Sequence, residues 1–92
     1  MILHITRDLL TSIYSLMKYI EKDLFPPREI EVMQLIQEGL SSKMVGSELN
    51  IKACTVEQHL RNCRMKADVN TTMQLITFAL HNGYIELRPV RR

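Results

Sequence analysis

An all-α fold of five helices is predicted from three features of the sequence. Apolar residues recur every three or four positions, which is the period of a helix with one buried side. Only three glycines and three prolines occur in the 92 residues, which favours long helices over a turn-rich β fold. The sequence contains no alternating strand pair, repeat or low-complexity tract.

The first predicted helix runs from about Thr6 to Asp23 and is amphipathic. Its charges are balanced, which disfavours a helix that lies on a membrane surface. Its apolar stripe can pack on the rest of the domain or pair with the same helix of a second copy, and the sequence leaves both alternatives open. For the second alternative, the predicted dimer contacts are Leu3, Leu10, Ile13 and Met17.

A second helix is predicted to begin at Pro26 and Pro27, because proline suits the first helical turn. It is expected to end near Glu38, because Gly39 suits the position that follows a last turn.

A third, short helix is predicted over Ser42–Leu49, with Ser41 as its N-cap. Gly46 in its middle is a poor helix former, which indicates that another backbone segment comes close there. Asn50 is expected to end the helix, because asparagine tolerates the left-handed backbone conformation of turns.

A fourth helix is predicted from about Ala53 to Ala67, and a fifth from about Thr72 to Asn82, where Gly83 ends it. The segment 86–92 is predicted to be a loose, basic tail. The side chains predicted to face inward from helices two to four are Ile30, Met33, Leu35, Ile36, Met44, Val45, Leu49, Val56, Leu60 and Cys63.

Charge is distributed unevenly around a formal net charge of +2. Residues 1–41 carry four basic and six acidic side chains, a balance of −2, and residues 42–92 carry eight and four, a balance of +4. The second half is therefore the better candidate to face phosphate groups. The longest uncharged run near the N-terminus is Leu9 to Met17, too short for a bilayer span of about 20 residues, and we predict a cytoplasmic protein.

The stretch between Leu40 and Lys66 has helix-turn-helix spacing, with two helices joined by a turn of about four residues. Several motifs lie in and around this stretch: PREIEV from Pro27, EGLSSK from Glu38, ELNI from Glu48 and TVEQHLRN from Thr55, followed by Lys66 and Val69. In this order and spacing, they make the segment from about Phe25 to Ile85 closely resemble the LuxR/GerE-type DNA-binding domain.

The resemblance implies a bacterial-type, four-helix domain at 25–85. The extra N-terminal amphipathic helix at 1–24 lies outside the resemblance, and the chain looks like a stand-alone member or a fragment. The resemblance also implies that residues 53–66 form the recognition helix and that the last helix serves dimerisation. The dimer contacts predicted on that last helix are Met73, Ile76 and Leu80.

Side chains that can read base edges recur along the recognition helix. Arg61 can bind guanine, Gln58 and Asn62 can bind adenine, and Glu57 can accept from cytosine. Residues near helix N-termini suit phosphate oxygens, and further basic residues (Arg64, Arg88, Arg91 and Arg92) add sequence-independent attraction. The predicted DNA-binding residues are Ser42, Lys43, Thr55, Glu57, Gln58, Arg61, Asn62 and Lys66.

No catalytic or metal site is predicted, and neither enzyme activity nor a cofactor is expected. Cys54 and Cys63 lie about 180° apart on one helix, so they cannot share an ion. Both thiols are interpreted as small buried apolar groups, and His59 as a packing and hydrogen-bonding residue.

The leading hypothesis is a homodimeric, sequence-specific DNA-binding transcription regulator, whose recognition helices enter major grooves of double-stranded DNA about one turn apart. The alternative is a protein-interaction module that keeps the fold and pairs with another regulator. Glu57, which stands where the family often has lysine, favours the alternative. Another transcription regulator or RNA polymerase is a further candidate partner, and no membrane partner is expected.

Overall fold

A computed structural model of the chain describes residues 24–91 and contains four helices in this part. They are α1 (Pro27–Gln37), α2 (Ser42–Leu49), α3 (Ala53–Ala67) and α4 (Thr72–His81), and residues 24–91 contain no strand. The all-α prediction is confirmed, and each boundary of these four helices lies within one residue of its predicted place. The predicted helix from Thr6 to Asp23, with its dimer contacts Leu3, Leu10, Ile13 and Met17, lies outside the described residues.

Three of the four helices, α1, α2 and α4, begin where a proline or a short polar side chain suits the backbone of the first turn. Pro27 opens α1, and the Ser41 hydroxyl accepts a hydrogen bond from the Met44 backbone N–H at 3.3 Å. Thr71 and Gln74 form a reciprocal capping box at the start of α4. Residue Lys52, at the N-cap of α3, provides no side-chain hydrogen bond.

The turn between α2 and α3 depends on a glycine in the middle of α2. A Cβ on Gly46 would lie 2.6 Å from the Ile51 carbonyl oxygen and 3.3 Å from the Ala53 nitrogen. The predicted close backbone approach is therefore confirmed. Asn50 takes the left-handed conformation that was expected, with φ of 58°.

All four helices and the segments at both ends contribute to one hydrophobic core. Its fully buried side chains include Val32 of α1, Val45 of α2, Cys63 of α3 and Leu75 of α4. The prediction that Met44 faces inward is wrong, since this side chain is 54% exposed. In the eight-residue α2, the core takes the adjacent Val45 and Gly46 instead. An aromatic cluster closes one end of the core and consists of Phe25, Phe78 and Tyr84.

The C-terminal residues 86–91, which we name the C-terminal strap, lie against α1. The side-chain amide of Gln34 makes two hydrogen bonds with the backbone of Glu86. Its Nε2 donates to the Glu86 carbonyl at 3.0 Å, and its Oε1 accepts from the Glu86 N–H at 2.8 Å. Gln37 repeats this arrangement at Arg88, with both distances 3.0 Å. The prediction of a loose tail is wrong for these residues. The strap belongs to no helix or strand, and the side-chain amides of Gln34 and Gln37 bond its backbone N–H and C=O groups instead.

Candidate nucleic-acid interface

Helix α3 has one buried side and one open side. Val56, Leu60 and Cys63 are buried in the core and fix the rotation of the helix about its axis. The exposed residues of the opposite side follow at intervals of one to four positions, and they are Cys54, Glu57, Gln58, Arg61 and Met65. Because a helix inserted into a groove presents one such side, this surface of α3 can reach base edges.

The middle of the open side carries a guanidinium and two amides. Arg61 is exposed, and no other residue of 24–91 bonds or pairs with its side chain. The Gln58 amide nitrogen donates to Asn62 Oδ1 at 3.1 Å, one helical turn away. This contact leaves Gln58 Oε1 as an acceptor and Asn62 Nδ2 as a donor, which is the pair of groups that matches an adenine edge.

Glu57 has a partner that the sequence did not indicate. Ser42, the first residue of α2, donates a hydrogen bond from its hydroxyl to Glu57 Oε1. The carboxylate is thereby held beside the N-terminus of α2, where the helix dipole favours negative charge. Two residues expected to reach DNA separately are thus brought together, and the carboxylate occupies a place suited to a phosphate oxygen.

Two exposed lysines lie near the starts of α2 and α3. Lys43 belongs to the first turn of α2, and Lys52 is the N-cap residue of α3. Thr55, in the first turn of α3, is half-buried. Each of these two helix N-termini therefore has an exposed lysine beside it, and a lysine at a helix N-terminus attracts phosphates.

Other basic groups expected to face phosphates are engaged within the protein. Lys66 Nζ lies 2.7 Å from Oε1 of the buried Glu29 and links α3 to α1, while its phosphate contact stays a prediction. Arg64 donates to the Thr72 hydroxyl at 3.2 Å. The strap arginines are likewise paired, with Glu86 and Glu38 at Arg88 and with Glu38 and Glu48 at Arg91.

The two cysteines differ sharply in environment. Cys63 is fully buried, and desolvation together with the neighbouring Glu29 carboxylate raises its pKa from 9.0 to about 12. Cys54 is exposed in the first turn of α3, so the interpretation of both thiols as buried is wrong for Cys54. Within residues 24–91, no group of three or more histidine, cysteine or carboxylate side chains could hold a metal ion.

The open surface of α4 is a shallow apolar groove of about 430 Å³. Met73 is 80% exposed there, and Ile76 and Leu80 lie half-buried against the core. The predicted dimer contacts on α4 are therefore divided between surface and core. The residues that line the groove are Met73, Gln74, Thr77, Phe78, His81 and Asn82.

Four helices with an exposed second helix of a helix-turn-helix define a DNA-binding regulator domain, and comparison with known proteins gives the family. Residues 23–79, more than half of the chain, match the model of the bacterial regulatory proteins of the luxR family. The chain belongs to this family, which is a family of DNA-binding regulators.

Curated relatives support the same placement. The chain is 38% identical over 61 residues to the transcriptional regulatory protein DegU of Brevibacillus brevis, covering 66% of this chain and 26% of that protein. It is 40% identical over 58 residues to the transcriptional regulatory protein LiaR of Bacillus subtilis (63% and 28%) and 36% over 63 residues to MctR of Rhizobium johnstonii (68% and 29%). The matches thus span less than a third of each of these relatives. No helix in residues 24–91 is both long and apolar enough to cross a membrane.

Proposed function

We propose that this protein is a sequence-specific DNA-binding transcription regulator that inserts α3 into the major groove of double-stranded DNA. The observation that carries the proposal is the open side of α3, where Arg61 is exposed and has no protein partner among residues 24–91. Arginine paired with guanine O6 and N7 is the commonest specific contact in protein–DNA complexes. The rigid attachment of α3 to the core supports a fixed reading geometry.

The remaining contacts follow from position on the two helices. Gln58 presents an acceptor and Asn62 a donor to adenine, and Glu57 can accept from cytosine N4 once it leaves Ser42. We assign phosphate contacts to Ser42, Lys43 and Thr55, which lie in the first turns of α2 and α3.

A fluorescence-anisotropy titration on genomic fragments tests the proposal. Arg61→Ala is expected to weaken specific binding by about 1–3 kcal/mol and to relax preference at one base pair. Arg28→Ala is the matched control, because it removes the same charge from α1, where Arg28 pairs with Glu31. Specific binding that is equally strong with Arg61→Ala would overturn the assignment of α3 as the recognition helix.

We further propose that the protein acts as a homodimer, with the exposed Met73 surface of α4 as a contact. Two copies of α3 would then enter successive major grooves about one helical turn apart, on a two-fold symmetric operator. The N-terminal stripe is a second candidate contact. Sedimentation of a chain that lacks residues 1–22 tests this, since an equally dimeric, folded truncated protein excludes a dimer role for the stripe.

The second candidate function is a protein-interaction module that pairs with another transcription regulator or contacts RNA polymerase. The pairing of Ser42 with Glu57 favours it, because the carboxylate takes a position suited to phosphate. Failure to bind any genomic fragment above the nonspecific level, even at low salt, would support this function over the first.

A further inference from the structure

Arg91 joins two helices through their carboxylates. Its Nε donates to Glu38 Oε1 at 2.8 Å, and its Nη1 donates to Glu48 at 2.7 and 3.0 Å. Its backbone N–H donates to the Glu38 carbonyl at 2.9 Å. Glu38 is the C-cap of α1, and Glu48 lies in the last turn of α2, so one guanidinium bridges the end of α1 and the end of α2.

The place of Arg91 is fixed by the rest of the C-terminal strap. The amides of Gln34 and Gln37 hold the strap backbone at two points along α1. Val90 then crosses Gly39, where an added Cβ would lie 2.8 Å from Val90 Cγ1. The strap thus reaches α2 along a defined path over the turn between α1 and α2.

Glu38 is the carboxylate that depends more on this cation, because Glu48 is 40% exposed. Glu38 is a buried charge, with a side chain only 6% exposed, and a buried charge is tolerated when it is paired and hydrogen-bonded. The hydrogen bonds to Glu48 and Glu38 raise the pKa of Arg91 above its ordinary value. Two nitrogens of the guanidinium, Nε and Nη1, are thus engaged by carboxylates of the protein.

We propose that the C-terminal strap positions α2 for DNA binding and that Arg91 is its positioning residue. Because α2 leads through a tight turn into α3 and bonds Glu57 through Ser42, holding α2 also holds the phosphate-facing edge of both helices. The strap lies beyond the family match, which ends at residue 79. This inference rests on the DNA-binding function proposed above.

Glu48→Gln gives the sharpest test, because charge and position predict opposite results. Removal of an acidic group from a DNA-binding protein strengthens binding if only electrostatic attraction matters. Loss of the Arg91 bridge instead weakens binding by roughly three- to fivefold, because the end of α2 is no longer held. Binding of Glu48→Gln that equals or exceeds that of the wild type overturns the proposal.

The salt dependence of binding separates positioning from phosphate contact. Arg91→Ala is expected to weaken binding by about three- to tenfold with no change in the slope of log K against log salt, and Arg91→Lys to recover part of the loss. Lys43→Ala is the matched control, since losing one phosphate contact lowers that slope by about 0.9. A similar fall in slope with Arg91→Ala would make Arg91 a phosphate ligand and overturn the proposal.

Hydrogen exchange measured on the free protein keeps the inference separate from the DNA-binding proposal. Arg91→Ala and Glu48→Gln are both expected to speed exchange of the α2 backbone amides by a few-fold, with α4 amides unchanged as the internal control. If the wild type binds no DNA, the proposed function fails. If exchange of the α2 amides is unchanged in both variants, the positioning role of the strap is refuted, whether or not the protein binds DNA.

Discussion

At the scale of single residues, Glu57 places a carboxylate where the helix ends attract phosphate. The Ser42 hydroxyl bonds this carboxylate and holds it next to the N-terminus of α2. Binding of DNA must either displace Glu57 or place it against a base that donates a hydrogen bond. The residue is therefore a candidate determinant of both affinity and sequence preference.

We expect Glu57→Gln to strengthen binding to DNA of random sequence by several-fold, because the repulsion between the carboxylate and phosphates is removed while an oxygen remains for Ser42. Anisotropy at several salt concentrations measures the change. Glu31→Gln, which removes an exposed acid from α1, is the matched control. Weaker binding of Glu57→Gln to the preferred operator would instead support direct contact with cytosine.

The two thiols are expected to react at very different rates. Cys54 is exposed, and Cys63 is buried with its pKa raised to about 12, so a thiol reagent at pH 8 should modify Cys54 first. Cys54→Ser should abolish the fast phase of modification, and a fast phase that persists in this variant would contradict the assignment.

The raised pKa of Cys63 also makes stability depend on pH. Because the folded-state pKa lies above the unfolded value near 9, the protonated thiol contributes stability that is lost as pH rises from about 9 to 12.

At the scale of elements, helix boundaries could be predicted because their causes are local. Pro27, Ser41 and Asn50 act within one turn of their own positions, and apolar spacing identified the core side of α3. Side-chain contacts between residues that are distant in sequence could not be predicted. Lys66 and Glu29 are 37 residues apart, and no local pattern in either helix indicates that they meet.

Part of the candidate site was predictable for the same reason. The open side of α3 follows from helical period, so Gln58 and Arg61 were placed correctly on the exposed surface. The engagement of Arg91 with α1 and α2 was not predictable, because it depends on how the strap folds back over Gly39. Met44 was misplaced because an eight-residue helix has too few turns to define its buried side well.

We expect Gly46→Ala to destabilise the domain by about 1–3 kcal/mol, the usual cost of overpacking a close contact. The added Cβ would lie 2.6 Å from the Ile51 carbonyl oxygen, which belongs to backbone and cannot rotate away. Chemical denaturation measures the free energy of unfolding. Ser47→Ala, at the next, exposed position of α2, is the control and should change this free energy by only a few tenths of a kcal/mol. Equal stability of the two variants would refute the packing argument.

At the scale of the whole molecule, the proposed DNA contact and the proposed dimer contact lie on different surfaces of the described part. The open side of α3 and the starts of α2 and α3 face the proposed DNA side, and the α4 groove offers an apolar contact for a second copy. A chain of this size buries a modest share of its surface, so a partner surface adds stability as well as two-fold symmetry.

We expect Met73→Glu to weaken self-association by at least tenfold, because it places a charge in the apolar groove of α4. Sedimentation over a range of concentrations measures the dimer constant. Leu87→Glu is the matched control, since Leu87 is 81% exposed on the strap and lies outside the groove. Unchanged self-association of Met73→Glu would exclude the α4 groove as the dimer contact.

The bond between Lys66 and Glu29 has a consequence for engineering DNA specificity. It fastens the end of α3 to a carboxylate that is only 5% exposed in α1. If α3 alone were exchanged with the equivalent helix of a relative that lacks the lysine, Glu29 would remain as a buried charge without its cation, and the domain would lose stability. Chimeric regulators built from this domain should therefore transfer α1 and α3 together, so that the two ends of the bond travel as one unit.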